Sequence, residues 1–353
     1  MGHSSEVFSC CWNPTVPVLA SGSADATARL WTVPAVPSSR DVVADPPVVL
    51  AHRSDAAARD VTAIDFAADG ARLATGSTDG RVRVFATSGT LQQTLEQHKA
   101  PVFAVKWNRK GDSLLSASAD RSVVIWDPAA GAVKQSFEFH SAPVLDVAWR
   151  NDTTFASCST DGSVIVAQLG ALKPIKSWQG HESEVNAVRW DPVGHLAATA
   201  SDDMTVKVWD VEKDEPVFDF TDHQREVYTL AWSNTGPGTP NDKLPLVLAT
   251  ASFDASVRVY DVTLGICLFT LSAPITGPVY TVDFSPDGAY LLTGSFDHTL
   301  CTWSARDGTL VSSYKSGGGV LDAKFNPRGD KIAACLSDNT LVVMDFVRPQ
   351  SSR

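Results

Sequence analysis

Serine, histidine and aspartate recur together along this chain: His3, Ser23 and Asp25; His98, Ser118 and Asp120; His140, Ser159 and Asp161; His181, Ser201 and Asp203; His223, Ser252 and Asp254. A single such trio would suggest a nucleophile, its general base and the carboxylate that orients the base. A trio that recurs in one unit after another points to structure, because a hydrolase needs only one. The spacing favours an aspartate in a tight turn, accepting hydrogen bonds from the histidine and the serine hydroxyl. The indoles of Trp31, Trp126 and Trp209 would extend this network and staple strands together. No catalysis is expected. No unrepeated polar cluster stands out as a metal or cofactor site. The cysteines (Cys10, Cys11, Cys158, Cys267, Cys301 and Cys335) include no C-x-x-C pair and read as reduced core residues.

The elements that would hold these groups follow from the aspartates. Asp25, Asp79, Asp120, Asp161, Asp203, Asp254, Asp297 and Asp338 each lie six residues before an aromatic or apolar residue that ends an apolar run. Their separations, by subtraction, are 54, 41, 41, 42, 51, 43 and 41. This is the period of about 40–45 residues expected of one propeller blade, with two units enlarged. The sequence therefore predicts an all-β fold, a single eight-bladed WD40 β-propeller over residues 1–353, with units at about 3–33, 59–95, 98–137, 140–178, 181–220, 223–271, 277–314 and 318–346.

Each unit holds three clear strands and a more variable fourth. In one of them Val185 to Trp190 alternates, Asp191-Pro192-Val193-Gly194 turns, small residues 197–201 follow, and Val206 to Trp209 closes. Ring closure leaves only short sheet edges. The second, seventh and eighth units show no histidine at the expected place, and Phe85, Ala167, Tyr260 and Met344 replace the closing tryptophan in the second, fourth, sixth and eighth. Blades without the network should rest more on apolar packing. The enlargements, 34–58 and 234–245, read as surface loops, the first with no core of its own.

A formal net charge of −11 argues against direct nucleic-acid binding, which needs a basic footprint, and permits basic partners such as histone tails. No stretch approaches transmembrane length, so no membrane association is expected. A partner would meet the face around the channel mouth, where Phe8, Phe103, Leu145, Asn186, Tyr228 and Tyr280 follow the first-strand valines. Glu6, Glu184, Glu226, Asp202, Phe253 and Phe296 lie beside them in loops and turns. At least three of these aromatic and apolar side chains are expected in solvent, as peptide anchors, with carboxylates suited to Lys and Arg.

The segments HSSEVFSCCWNP, HKAPVFAVKWN, HESEVNAVRWDP, ASFDASVRVYDV and FSPDGAYLLTGSFD, with TGPGT inserted in the sixth unit, resemble the WD40 region of the transducin β-like one proteins, also called F-box-like/WD-repeat proteins, from His3 to Phe346. The resemblance implies a non-catalytic scaffold in the nucleus, part of corepressor complexes containing a histone deacetylase, whose propeller contacts chromatin and corepressor proteins. It also implies an alternative role as an adaptor that brings ubiquitin-pathway proteins to promoters. Family members carry a LisH and an F-box-like segment before the propeller, whereas this sequence begins directly at the first unit, as expected either of a fragment or of a chain whose eighth blade is left three-stranded. The strand that would complete the eighth blade is missing with them, which leaves ring closure and oligomerisation open.

Overall fold

The computed structural model describes residues 2–34, 46–52 and 59–348. Among these residues the only regular elements are β-strands, each antiparallel to its neighbour in sequence, forming seven four-stranded sheets and one of three strands. These sheets are the blades of an eight-bladed propeller. Blade 1 runs from the channel to the rim through Val7–Trp12, Val18–Ser23, Thr27–Thr32 and Val48–Ala51. Second strands are made of small residues and lie wholly or almost wholly buried. Gly76 shows why: a Cβ there would lie 2.7 Å from Val102 Cγ1 of the next blade, so small side chains set how closely blades approach.

The repeated polar network is real in geometry, but its serine is not the one expected. His3 Nδ1 is 2.9 Å from Asp25, while its Nε2 is 2.8 Å from Ser21, and Trp31 donates to the same Ser21 hydroxyl at 2.9 Å. His98, Ser116 and Trp126 repeat this arrangement, as do His181, Thr199 and Trp209; His140 with Ser157 and His223 with Thr250 lack only the indole. Ser23, Ser118, Ser159, Ser201 and Ser252 instead end their strands, accepting the amide of the aspartate two residues on. Both hydroxyls share a strand face, and only the inner one lies level with the indole. The aspartate's own acceptors are filled from the turn, as when Thr27 donates to Asp25 by amide (3.0 Å) and hydroxyl (2.5 Å). Those bonds stabilise a turn whose next residue is left-handed without being glycine in most blades, such as Ala26 (φ 61°) and Met204 (φ 68°).

The second unit does have its histidine. His52 directly follows the fourth strand of blade 1, with Nε2 2.6 Å from Thr75 of blade 2. The reading of 34–58 as one loop without a core therefore fails in part, since Val48–Ala51 pairs with Thr27–Leu30 and Leu50 is buried in the core. Alternation in this short strand was hidden by the Pro and Ala around it; residues 35–45 and 53–58 of that segment lie outside the described residues. The aspartate of blade 2 is met by arginines instead: Arg83 Nη2 and Arg59 Nη1 donate to Asp79 Oδ2 at 2.7 and 2.9 Å. Where Ala167 stands in for the closing tryptophan of blade 4, the cross-strand Phe155 fills the space, edge-on to Phe137. The insertion 234–245 is held by its own bonds, Thr235 to the Pro245 carbonyl (2.6 Å) and Asn241 to the Asn234 carbonyl (2.9 Å).

Blades are joined by tryptophans of the first strands. The indole N–H of Trp107, Trp149, Trp190 and Trp232 donates to a carbonyl of the preceding blade at 2.9 to 3.2 Å. Carboxylates on the channel wall repeat the link, as where Asp65 accepts the Trp107 amide at 2.8 Å. The ring closes by the same device: Trp12 donates to the Lys324 carbonyl and the Cys10 amide to Asp322, both at 3.1 Å. Blade 8 keeps three strands, so Leu341–Asp345 has an unpaired edge among the described residues. In blades 1 to 6 an apolar residue of the fourth strand packs with the closing residue of the next blade, as Trp178 stacks on Trp209 with centroids 5.1 Å apart. At the seam no such residue is present among the described ones, and Trp31 is partly exposed where Trp126 and Trp209 are 1% exposed. Amides of Lys331–Leu336 and Leu341–Asp345 are therefore expected to exchange with deuterium sooner than those of Leu114–Ser118. Uniform protection across blades would contradict this.

The network also sets an acid response. Burial first, then Arg83, holds His52 down at about 4, and burial lowers His3 and His140. These rings are neutral in the fold, so their contribution is complete above the ordinary 6.5 and is lost as pH falls towards 4. For Asp25 and Asp161 burial would raise the pKa, but hydrogen bonds from the turn and the histidine outweigh it and bring both to about 2. That contribution is complete above 3.8 and fades as pH falls towards 2. Asp283 works the other way, pushed up to about 6 by burial, and gains on protonation. The urea midpoint should therefore fall in two stages, with His52→Gln flattening the upper one; an unchanged upper slope in that variant would refute the assignment.

Candidate partner-binding face

One backbone bond, repeated in every blade, builds the face at the channel mouth. The residue before each first-strand valine accepts, through its carbonyl, the amide of the residue before each turn aspartate. The pairs are Glu6 with Ala24, Asp60 with Thr78, Pro101 with Ala119, Pro143 with Thr160, Glu184 with Asp202, Glu226 with Phe253, Pro278 with Phe296 and Gly319 with Ser337. Between them, each first strand slips register by one residue after its valine. The extra residue has no cross-strand partner and its side chain is turned towards the mouth. These bulged residues are Phe8, Thr62, Phe103, Leu145, Asn186, Tyr228, Tyr280 and Leu321. Ladder bonds thus fix the backbone alike in all blades and leave three side chains per blade free to differ.

The differences form sectors. Blades 6 and 7 carry a packed aromatic group in which Tyr280 touches Tyr228, Phe253 and Phe296, with centroids 5.0, 5.2 and 5.7 Å apart. Tyr228 is 41% and Phe296 47% exposed, while Phe253 and Tyr280 are half-buried beneath them. Across the mouth Phe103 is 37% exposed, and Phe8 and Leu145 are partly covered. Blade 5 is polar: Asn186 Nδ2 donates to Asp202 at 2.6 Å and to the Val227 carbonyl of blade 6 at 3.0 Å, fixing a carboxylate beside the rings. Glu6 and Glu184 stand exposed and Glu226 half-buried. Below the mouth lies a channel of about 1240 Å³, belted by the ion pairs Lys106 with Asp65 (3.6 Å), Lys324 with Asp283 (3.9 Å) and Arg189 with Asp146. Among the described residues no group of His, Cys, Asp and Glu side chains is gathered to hold a metal ion.

Comparison with known proteins agrees with this architecture. The WD domain, G-beta repeat model matches residues 172–210, 214–261 and 265–304, and a nucleolar protein 10-like N-terminal propeller model matches 3–171. The F-box-like/WD repeat-containing protein TBL1X of Mus musculus is 48% identical over 351 residues, 98% of this chain. The chain belongs to the F-box-like/WD-repeat family. It spans 66% of the length of that mouse relative and 57% of the Arabidopsis thaliana WD40 repeat-containing protein HOS15, which is 45% identical. The WD40 domain of Sif2 shares the fold, with a TM-score of 0.85 at 23% identity, covering 99% of this chain and 97% of that one.

Membership of this family supports a WD-repeat scaffold role in protein interaction, and the face just described is where the side chains differ most from blade to blade. Sequence reasoning passed over Asp60, Thr62 and Leu321, which occupy the same backbone positions as Glu6, Phe8 and Tyr280. The signal was present in the place relative to each first-strand valine, but in blade 2 it was hidden by the insertion that precedes it.

Proposed function

We propose that this propeller is a non-catalytic scaffold of a nuclear transcriptional corepressor complex containing a histone deacetylase, and that it binds histone tails or corepressor peptides on the mouth face. What carries the reading is the set of exposed rings, Phe103, Tyr228 and Phe296, beside carboxylates whose backbone is fixed by the ladder. Rigid aromatic anchors bind at small entropic cost, and carboxylates attract lysine and arginine. In this reading Glu6, Phe8, Phe103, Leu145, Glu184, Asn186, Asp202, Glu226, Tyr228, Phe253, Tyr280 and Phe296 meet the partner. The name borne by the relatives, F-box-like/WD repeat-containing proteins, favours one second reading, a substrate-recognition adaptor for a ubiquitin ligase using the same face.

The test is a fluorescence-polarisation titration with unmodified and acetylated histone H4 and H2B tails at two salt concentrations, repeated with a Tyr228→Ala/Phe253→Ala double variant. Micromolar binding that weakens with salt and is lost in the variant supports the histone-reading scaffold. Absence of binding to every tail removes histones and leaves a corepressor or ubiquitin-pathway segment as the ligand.

A further inference from the structure

The sectors of the face bear on what kind of segment it takes, a question that rests on the scaffold reading above. A face that bound uniformly basic tails by charge would carry acid all around its mouth. This one does not: the positions equivalent to Glu184 and Glu226 are Pro101 in blade 3, Pro143 in blade 4 and Pro278 in blade 7. Blade 3 adds exposed Lys99 and Arg121, which would repel a run of lysines crossing to that side. Acid stands at this position in blades 1 and 2 (Glu6 and Asp60) and in blades 5 and 6 (Glu184 and Glu226), and it is the second pair, with Asp202, that lies against the ring group of blades 6 and 7.

That ring group is built for an apolar contact. Tyr228 and Phe296 expose their surfaces while the half-buried Phe253 and Tyr280 support them, so no ring must be ordered on binding. Phe296 is further fixed from blade 8, where Gly319 passes so close that a Cβ would lie 2.7 Å from the ring. Next to it, the Asn186 bond to the Val227 carbonyl fixes Asp202 at the border of the rings.

We infer that the ligand is an extended peptide segment carrying an apolar or aromatic side chain, seated on Tyr228 and Phe296, with a lysine or arginine close by in sequence that reaches Glu184 and Glu226. A uniformly basic segment without the apolar residue satisfies only half of this surface.

The probes are end-capped, fluorescein-labelled Gly/Ser peptides: one with adjacent Phe and Lys pairs, one with the lysines only, one with the phenylalanines only, and one with the same residues set far apart. Titrations use the full chain, Glu184→Gln/Glu226→Gln, and Phe296→Ser, which alters an exposed side chain. The combined probe is expected to bind about tenfold more tightly than either single-type probe, a difference of about 1.4 kcal/mol. The double Gln variant should reduce it to the level of the Phe-only probe and remove its salt dependence. Phe296→Ser should remove the Phe advantage and leave the salt dependence. Equal affinity of the lysine-only and combined probes overturns the inference, as does failure of the combined probe to bind below millimolar concentration. In either case binding of the histone tails, measured separately, still decides the scaffold reading.

Discussion

Asp79→Ala is expected to destabilise the propeller by about 3–5 kcal/mol, because it removes one member of a buried ion pair and leaves the other without its counter-charge. Arg83 is 5% exposed, and the carboxylate of Asp79 takes its Nη2 at 2.7 Å together with Arg59 and the Arg81 amide. Among the described residues only the Ser77 hydroxyl, at 3.0 Å, would remain as a hydrogen-bond partner of that guanidinium. Asp338→Ala makes the comparison, since Asp338 stands at the same place in blade 8 but is exposed and meets only Thr340 in its turn. Its loss should cost less than about 1 kcal/mol. Restoring neutrality with Asp79→Ala/Arg83→Met should recover much of the first loss, because an apolar pair of similar volume often replaces a buried ion pair without penalty. Urea midpoints of the three variants decide it; equal midpoints for the two aspartate variants would show that Arg83 finds another partner.

Trp209→Ala should cost a comparable amount, about 3–5 kcal/mol, from lost contacts and the cavity left behind. The indole is 1% exposed, stacks on Trp178 across a blade boundary, and donates to Thr199 at 2.9 Å. Trp209→Phe keeps a ring for Trp178 and loses the hydrogen bond, so about 1–2 kcal/mol is expected. Trp31→Ala should cost clearly less than Trp209→Ala, because the seam leaves Trp31 partly exposed. The check is the ranking of unfolding midpoints across the three; a Trp31 variant as damaged as the Trp209 variant would mean that something covers Trp31 in solution.

The architecture was legible because a repeat states itself many times. A turn aspartate and a closing aromatic at fixed spacing locate three strands per blade, and the small residues between them mark where blades touch. Strand order and register follow, since short turns leave consecutive strands no choice but to pair. The sequence alone therefore determined the number of blades, the pairing of each recurring histidine with its turn aspartate, and the candidate positions around the mouth.

Tertiary structure decided what spacing could not. Ser21 and Ser23 are equally spaced candidates on one strand face, and only the position of Trp31 on the paired strand selects Ser21 for the histidine. His52 belongs to blade 2 through Thr75, a contact between blades that no local pattern announces. Whether a ring at the mouth is an anchor or a support depends on what packs against it: Phe296 and Phe253 hold the same place in adjacent blades, yet one is exposed and the other lies under its neighbours. Local bonds fix where each side chain leaves the backbone, and sequence reports those bonds well. Exposure and pairing are set by side chains that the strands of a blade and of its neighbour bring together, 10 residues apart for Ser21 and Trp31, 23 for His52 and Thr75, and 312 at the seam where Trp12 and Cys10 close the ring onto blade 8.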